Sequence, residues 1–175
     1  MRYTLIVAAL AATVATPAIA QVVPPPITDT DTATARGVVL GAHSLRKAKD
    51  LDFGVVAVDP VAGGTVSIAA SLAGNRTVTG GVTALTSASS AAEFDGSGAP
   101  NERIVLTLSG PGTSAVQDGA GNSIPVALSL DAAGSTRNAD AAGGFTVYVG
   151  GTFTIAGGQA PGVYSNQFDL TAEYQ

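Results

Sequence analysis

Gly162-Val163-Tyr164-Ser165-Asn166-Gln167-Phe168-Asp169-Leu170-Thr171-Ala172-Glu173-Tyr174-Gln175 closes the chain, and its alternation decides the fold. From Tyr164 onward the even positions are Tyr164, Asn166, Phe168, Leu170, Ala172 and Tyr174, all but one apolar or aromatic. The odd positions are Ser165, Gln167, Asp169, Thr171, Glu173 and Gln175, all polar. A period of two is that of a β-strand with one face buried and one in water. At about 3.3 Å per residue, such a strand crosses a whole sandwich. It runs to the last residue, so no later strand is expected beside its far edge, and a free edge needs a cover.

Upstream, the pattern repeats in shorter pieces. Leu51–Val58, Thr65–Ala70, Arg76–Leu85, Ala91–Asp95, Arg103–Leu108, Ile124–Leu130 and Phe145–Ile155 read as strands. Gly63-Gly64, Gly74-Asn75 and Asp118-Gly119-Ala120-Gly121-Asn122 read as turns, and Gly80-Gly81 as a bulge inside its strand. Leu45–Lys49 is a short basic stretch, read with His43 as a polar turn ahead of a strand, and Asp131–Gly144 reads as a loop. The chain holds 22 glycines but no cysteine and no tryptophan. Many short strands at spacings near ten residues predict an all-β, antiparallel immunoglobulin-like β-sandwich, one that lacks its last strand if the free edge is real.

The first twenty residues read as a signal peptide: Arg2, an apolar run from Leu5 to Val14, and the small-residue site Ala18-Ile19-Ala20. The expected organisation is therefore a signal peptide over 1–20, an N-terminal extension over 21–42 and a β-sandwich over 43–175. Cleavage after Ala20 releases an exported protein of periplasm, cell surface or extracellular space, with no membrane insertion thereafter. With 8 basic against 13 acidic residues, the chain has no basic patch for phosphate backbones, so nucleic acid is not an expected partner. Without cysteine, no disulfide supports the fold.

Catalytic chemistry is poorly supplied. His43 is the only histidine, which with no cysteine leaves neither a metal-ligand set nor a thiol nucleophile. Nucleophile-elbow, phosphate-loop and dinucleotide glycine patterns are all missing from the sequence. Asp118–Asn122 has too few acidic ligands for a calcium loop and reads as an ordinary turn. Asp29 and Asp31 read as solvated residues of the extension, and Asn75-Arg76-Thr77 is a three-residue glycosylation pattern too common to weigh. No enzyme, cofactor or metal is expected.

Two sets of residues resemble known families. Leu51-Asp52-Phe53-Gly54-Val55-Val56, Val61-Ala62-Gly63-Gly64-Thr65-Val66 and Arg76-Thr77-Val78-Thr79-Gly80-Gly81-Val82 resemble the DUF4402 family of exported bacterial proteins, over about Thr32 to Gln175. The ending is similar to that of chaperone–usher pilins of the spore coat protein U type. Such subunits carry a penultimate Tyr and a Gly fourteen residues from the end, positions held here by Tyr174 and Gly162. The resemblance implies a structural subunit of a surface filament, which assembles by donor-strand exchange. Its implied partners are a periplasmic pilus chaperone, an usher and neighbouring subunits. It makes Gly162, Tyr164, Phe168, Leu170, Ala172 and Tyr174 the chaperone and groove-edge strand. In the extension, Ala33, Ala35, Gly37 and Val39 alternate and are the donor-strand candidates. The alternative is a self-contained exported β-sandwich that binds a carbohydrate or a surface partner.

Overall fold

A computed structural model describes Thr34, Arg36, Gly37, Val39 and residues 41–175. Among these residues the strands are β1 (Ser44–Lys49), β2 (Val56–Val58), β3 (Gly64–Ile68), β4 (Arg76–Gly80), β5 (Val82–Ala84) and β6 (Ala92–Ser97). There follow β7 (Arg103–Ser109), β8 (Ala115–Gln117), β9 (Ser123–Leu130), β10 (Thr136–Asn138), β11 (Gly144–Ile155) and β12 (Asp169–Tyr174). The expected signal peptide lies outside the described residues, as do Ala33 and Ala35. Every strand pairing is antiparallel, and the protein is an all-β sandwich.

β11 is the spine because its alternation is the longest: Phe145, Val147, Val149, Phe153 and Ile155 are all buried. One edge of β11 pairs β6 over Gly144–Val149 and then β3 over Gly151–Ile155, while its other edge takes β9. With β1 beside β6, β4 beside β3 and β8 beside β9, this makes a seven-stranded sheet. Two smaller sheets complete the fold: β10-β7-β12, and the pair β2-β5. One core gathers Phe94, Val147 and Val149 of the large sheet with Ile104, Leu106 and Ala172 of β7 and β12. The second gathers Val66, Ile124, Val126, Phe153 and Ile155 with Val82 of β5. A large apolar side chain buried in this way contributes about 1.5–3 kcal/mol.

Several expectations need correction. Leu45–Lys49 is no polar turn but most of β1, an edge strand pairing β6 from Ser44↔Ser97 to Lys49↔Glu93. Its charges suit an edge strand, whose outer backbone groups must not recruit another sheet. Gly80-Gly81 is not a bulge within one strand. Before it, β4 pairs β3; after it, β5 pairs β2, so the chain changes sheet there. Gly80 takes φ 69°, open to glycine at little cost. Leu51–Val58 is interrupted at Gly54 and only Val56–Val58 is strand, with an isolated bridge at Asp52↔Ser90. The loop Asp131–Gly144 contains β10, and the final strand is regular only from Asp169.

The turn at Asp118 is as the sequence predicts, joining β8 to β9. The Asp118 carboxylate accepts from the side-chain amide of Asn122 at 2.7 Å and from the backbone N–H groups of Ala120 and Asn122. Led by the Asn122 side chain, these donors hold its pKa below the ordinary carboxylate value. A carboxyl whose pKa is lowered on folding stabilises the fold above its unfolded pKa and loses that contribution as pH falls through the folded value. The thermal midpoint of Asp118→Ala should therefore lie below that of the native chain at pH 6. The gap should close as the pH is taken below about 4. A gap equally wide at pH 2 would rule out the charge as its source.

Candidate functional site

A groove of about 910 Å³ opens between β2, with the residues ahead of it, and the irregular run that leads into β12. Its floor is core: Ile124, Val126 and Leu128 of β9, with Phe153 and Ile155 of β11. One lip is Leu51–Val58, and the other is the run Gly158–Asn166 with Phe168. Leu51 packs with Phe168 and Leu170 on the first core, whereas Phe53, Val56 and Val58 pack with Tyr164 on the second. The lips therefore run in opposite directions.

Each lip is paired on its outer side. The first bonds to Val82–Ser90 through β2-β5, Leu85 N–H to the Val55 carbonyl at 3.0 Å and the Asp52↔Ser90 bridge. The second bonds through Ser165 to Gln117, through the Gln167 carbonyl to Gly112 N–H at 2.8 Å, and through β12 to β7. β2 is an edge strand whose ladder partner among the described residues is β5, while the second lip, Gly158–Phe168, is irregular apart from the Ser165 bridge to Gln117. A free strand edge at β2 above an apolar floor offers what an added strand needs: backbone groups for a ladder and a seat for alternate side chains.

The sequence-identified edge residues divide along this strand. Gly162, Tyr164 and Phe168 line the groove. The Tyr164 hydroxyl donates to the Ala160 carbonyl at 2.7 Å and accepts from the Gln159 amide, fixing the ring at the lip. The Phe168 ring stands edge-on to Phe94 at 6.1 Å. Leu170, Ala172 and Tyr174 continue on the same face beyond the groove, against the first core. Asn166 departs from the alternation: it is exposed, and its amide donates to the Ala115 carbonyl. Of the donor-strand candidates, Gly37 and Val39 are exposed and outside any strand, whereas Ala33 and Ala35 lie outside the described residues.

The first lip is where the sequence reading was incomplete. Gly54 takes φ 74° and shifts the alternation, so that Leu51, Phe53, Val56 and Val58 turn inward and Val55 is 56% exposed. The Arg76 guanidinium holds this kink, donating to the carbonyls of Phe53 (3.1 Å) and Leu85 (2.7 Å) and to Ser87 Oγ (3.2 Å). Ser87 Oγ also accepts from Val55 N–H, and Asp52 Oδ1 from Gly54 N–H. Phe53 stacks on Phe153 of the floor at 5.1 Å. Asp52-Phe53-Gly54 and Arg76, two of the stretches that carry the resemblance, thus meet at one clamp. Arg76→Ala should cost about 2 kcal/mol by urea denaturation, since two carbonyls lose charged donors. Arg76→Lys should recover little of it, because one ammonium cannot replace a fork spanning three acceptors.

Among the described residues no group of acidic or histidine side chains could hold a metal ion. No curated protein and no solved structure matches the chain. One family model does, that of the domain of unknown function DUF4402, and it covers residues 44–174. That match takes in every strand described above, and by it the chain belongs to the DUF4402 family.

Proposed function

We propose that the protein is a structural subunit of a bacterial surface filament that assembles by strand addition. The groove over Ile124, Val126 and Phe153, open along the free edge of β2, carries this reading. One strand laid there would extend β2-β5 across the floor toward the Gly158–Phe168 run and complete a sandwich of immunoglobulin-like kind. Its ladder bonds are independent of sequence, while alternate side chains over the floor set the register. After export a periplasmic chaperone covers the groove, an usher receives the subunit, and the N-terminal extension of a neighbouring subunit replaces the chaperone.

The mature chain, Gln21 onward, should form filaments visible by electron microscopy and ladders that resist sodium dodecyl sulfate. Phe168→Arg places a charge at the lip and should abolish both while circular dichroism still reports a β fold. Filaments undiminished in that variant would put the contact elsewhere. A native chain that stays monomeric at every concentration would instead favour the self-contained module that binds a carbohydrate or surface partner.

A further inference from the structure

Independently of the groove, we propose that two copies of the protein pair through β4, antiparallel about a two-fold axis at Val78, so that their large sheets become one. The large sheet ends at β1 and at β4, with β8 branching off beside β9. Each end is treated differently. β8 is covered where Gln117 bridges Ser165. β1 carries Arg46, Lys47 and Lys49, with a register shift between Lys47 and Lys49, and both features discourage pairing at an edge. β4, Arg76-Thr77-Val78-Thr79-Gly80, has neither protection. Its register on β3 is unbroken, it holds no proline, and its one charge, Arg76, is turned into the clamp on Phe53, Leu85 and Ser87.

The outer edge of β4 is ready for a ladder. Ala69 N–H donates to the Asn75 carbonyl and Gly81 N–H to the Gly63 carbonyl, so these are hydrogen-bonded pairs between β3 and β4. Such pairs alternate along an antiparallel ladder, which turns the backbone groups of Thr77 and Thr79 toward β3 and those of Arg76, Val78 and Gly80 outward. None of the outward N–H and C=O groups has a partner among the described residues.

What fits this edge is the same edge of a second copy. The outward groups are symmetrical about Val78, so an antiparallel β4 meets them in register, with Arg76 opposite Gly80 and Val78 opposite itself, as a two-fold interface requires. That register sets exposed Thr77 opposite Thr79 of the second copy, a favourable cross-strand pair. It extends a row of neutral hydroxyls already on this face, Thr65 with Thr79 at 2.7 Å and Ser67 with Thr152 at 3.0 Å. It also brings opposite charges to the same end. Asp59, whose N–H bonds the Gly81 carbonyl at 2.8 Å, lies beyond one end of β4 and Arg76 is at the other, and neither makes an ion pair among the described residues. A second copy's β1 is the wrong occupant, because its three cations would find no carboxylate on β4.

The test uses the mature chain carrying Phe168→Arg, so that the groove takes no part, and follows its mass by sedimentation as concentration is raised. One strand edge is a small interface, so association should be weak and the mass should approach twice the monomer's only at high concentration. Thr77→Lys with Thr79→Lys, and Thr77→Glu with Thr79→Glu, should each remain monomeric, since like charges then oppose each other across the two-fold axis. Their thermal midpoints should stay near the parent's, because both side chains are exposed. An equimolar mixture of the two should dimerise again, at lower concentration than the parent, because every lysine then faces a glutamate. A mixture of folded variants that stays monomeric overturns the proposal, as does a parent dimer indifferent to the lysines. A parent that is monomeric at every concentration overturns it too, and slow exchange of the Val78 amide hydrogen in that monomer would put a stretch of the same chain on the edge instead.

Discussion

Gly150→Val should abolish the cooperative unfolding transition of the domain, a loss of about 4 kcal/mol or more. Gly150 is buried at the point where β11 exchanges one neighbour for another, β6 ending at Val149 and β3 beginning at Gly151. A Cβ there would meet the Ile68 carbonyl oxygen, Ala70 N at 2.6 Å and Ala69 C at 2.9 Å, all of them backbone. Side-chain rearrangement cannot relieve such an overlap. β3 would have to part from β11, taking Val66 away from Phe153 and opening the floor of the groove. Domains of this size are stable by roughly 5–15 kcal/mol, so the loss is a large share of the whole. Gly119→Ala is the matched control, because nothing lies within 4 Å of its Cβ position. It should leave the urea midpoint unchanged within error; a midpoint for Gly150→Val equally close to native would refute the argument.

Asp131→Ala should cost about 3–5 kcal/mol, more than Arg137→Met. Arg137 on β10 is the one buried charged side chain among the described residues, and it pairs with Asp131 Oδ1 at 2.5 Å. The guanidinium also donates to the carbonyls of Gly134 and Thr136. Asp131 in turn accepts from Ala133 N–H and from Tyr148 N–H on β11, tying the small sheet's edge to the spine. Removing the carboxylate leaves a guanidinium without a counter-charge inside the fold. Removing the arginine leaves a carboxylate that keeps its two backbone donors. A double-mutant cycle should show the pair non-additive, with the double variant more stable than Asp131→Ala alone. Additive losses would mean that the two groups act separately.

Where local pattern and burial coincide, the sequence was readable. β11 was predicted as Phe145–Ile155 and spans Gly144–Ile155, because every inward residue on it is apolar and the glycine pair leaves the parity unchanged. The Asp118 turn was readable for a similar reason: an Asx side chain satisfies backbone donors within a few residues of itself. β1 was missed because an edge strand need not be apolar; its Arg46, Lys47 and Lys49 resemble a loop. β10 was missed because its buried residue is an arginine whose partner lies six positions away in a run of small polar residues.

The candidate site divides in the same way. The strand ending at Tyr174 announces itself by alternation, a property of neighbouring residues in one strand. By itself, then, the sequence determined an all-β protein of short strands and turns, with an alternating strand running up to Tyr174. Only the tertiary structure brought Leu51–Val58 opposite the Gly158–Phe168 run, put Ile124, Val126 and Phe153 beneath the gap, and anchored Gly41 at the far end beside Tyr174. Those relations join residues dozens to more than a hundred positions apart. They arise from which sheets pack together, and no local periodicity encodes that choice.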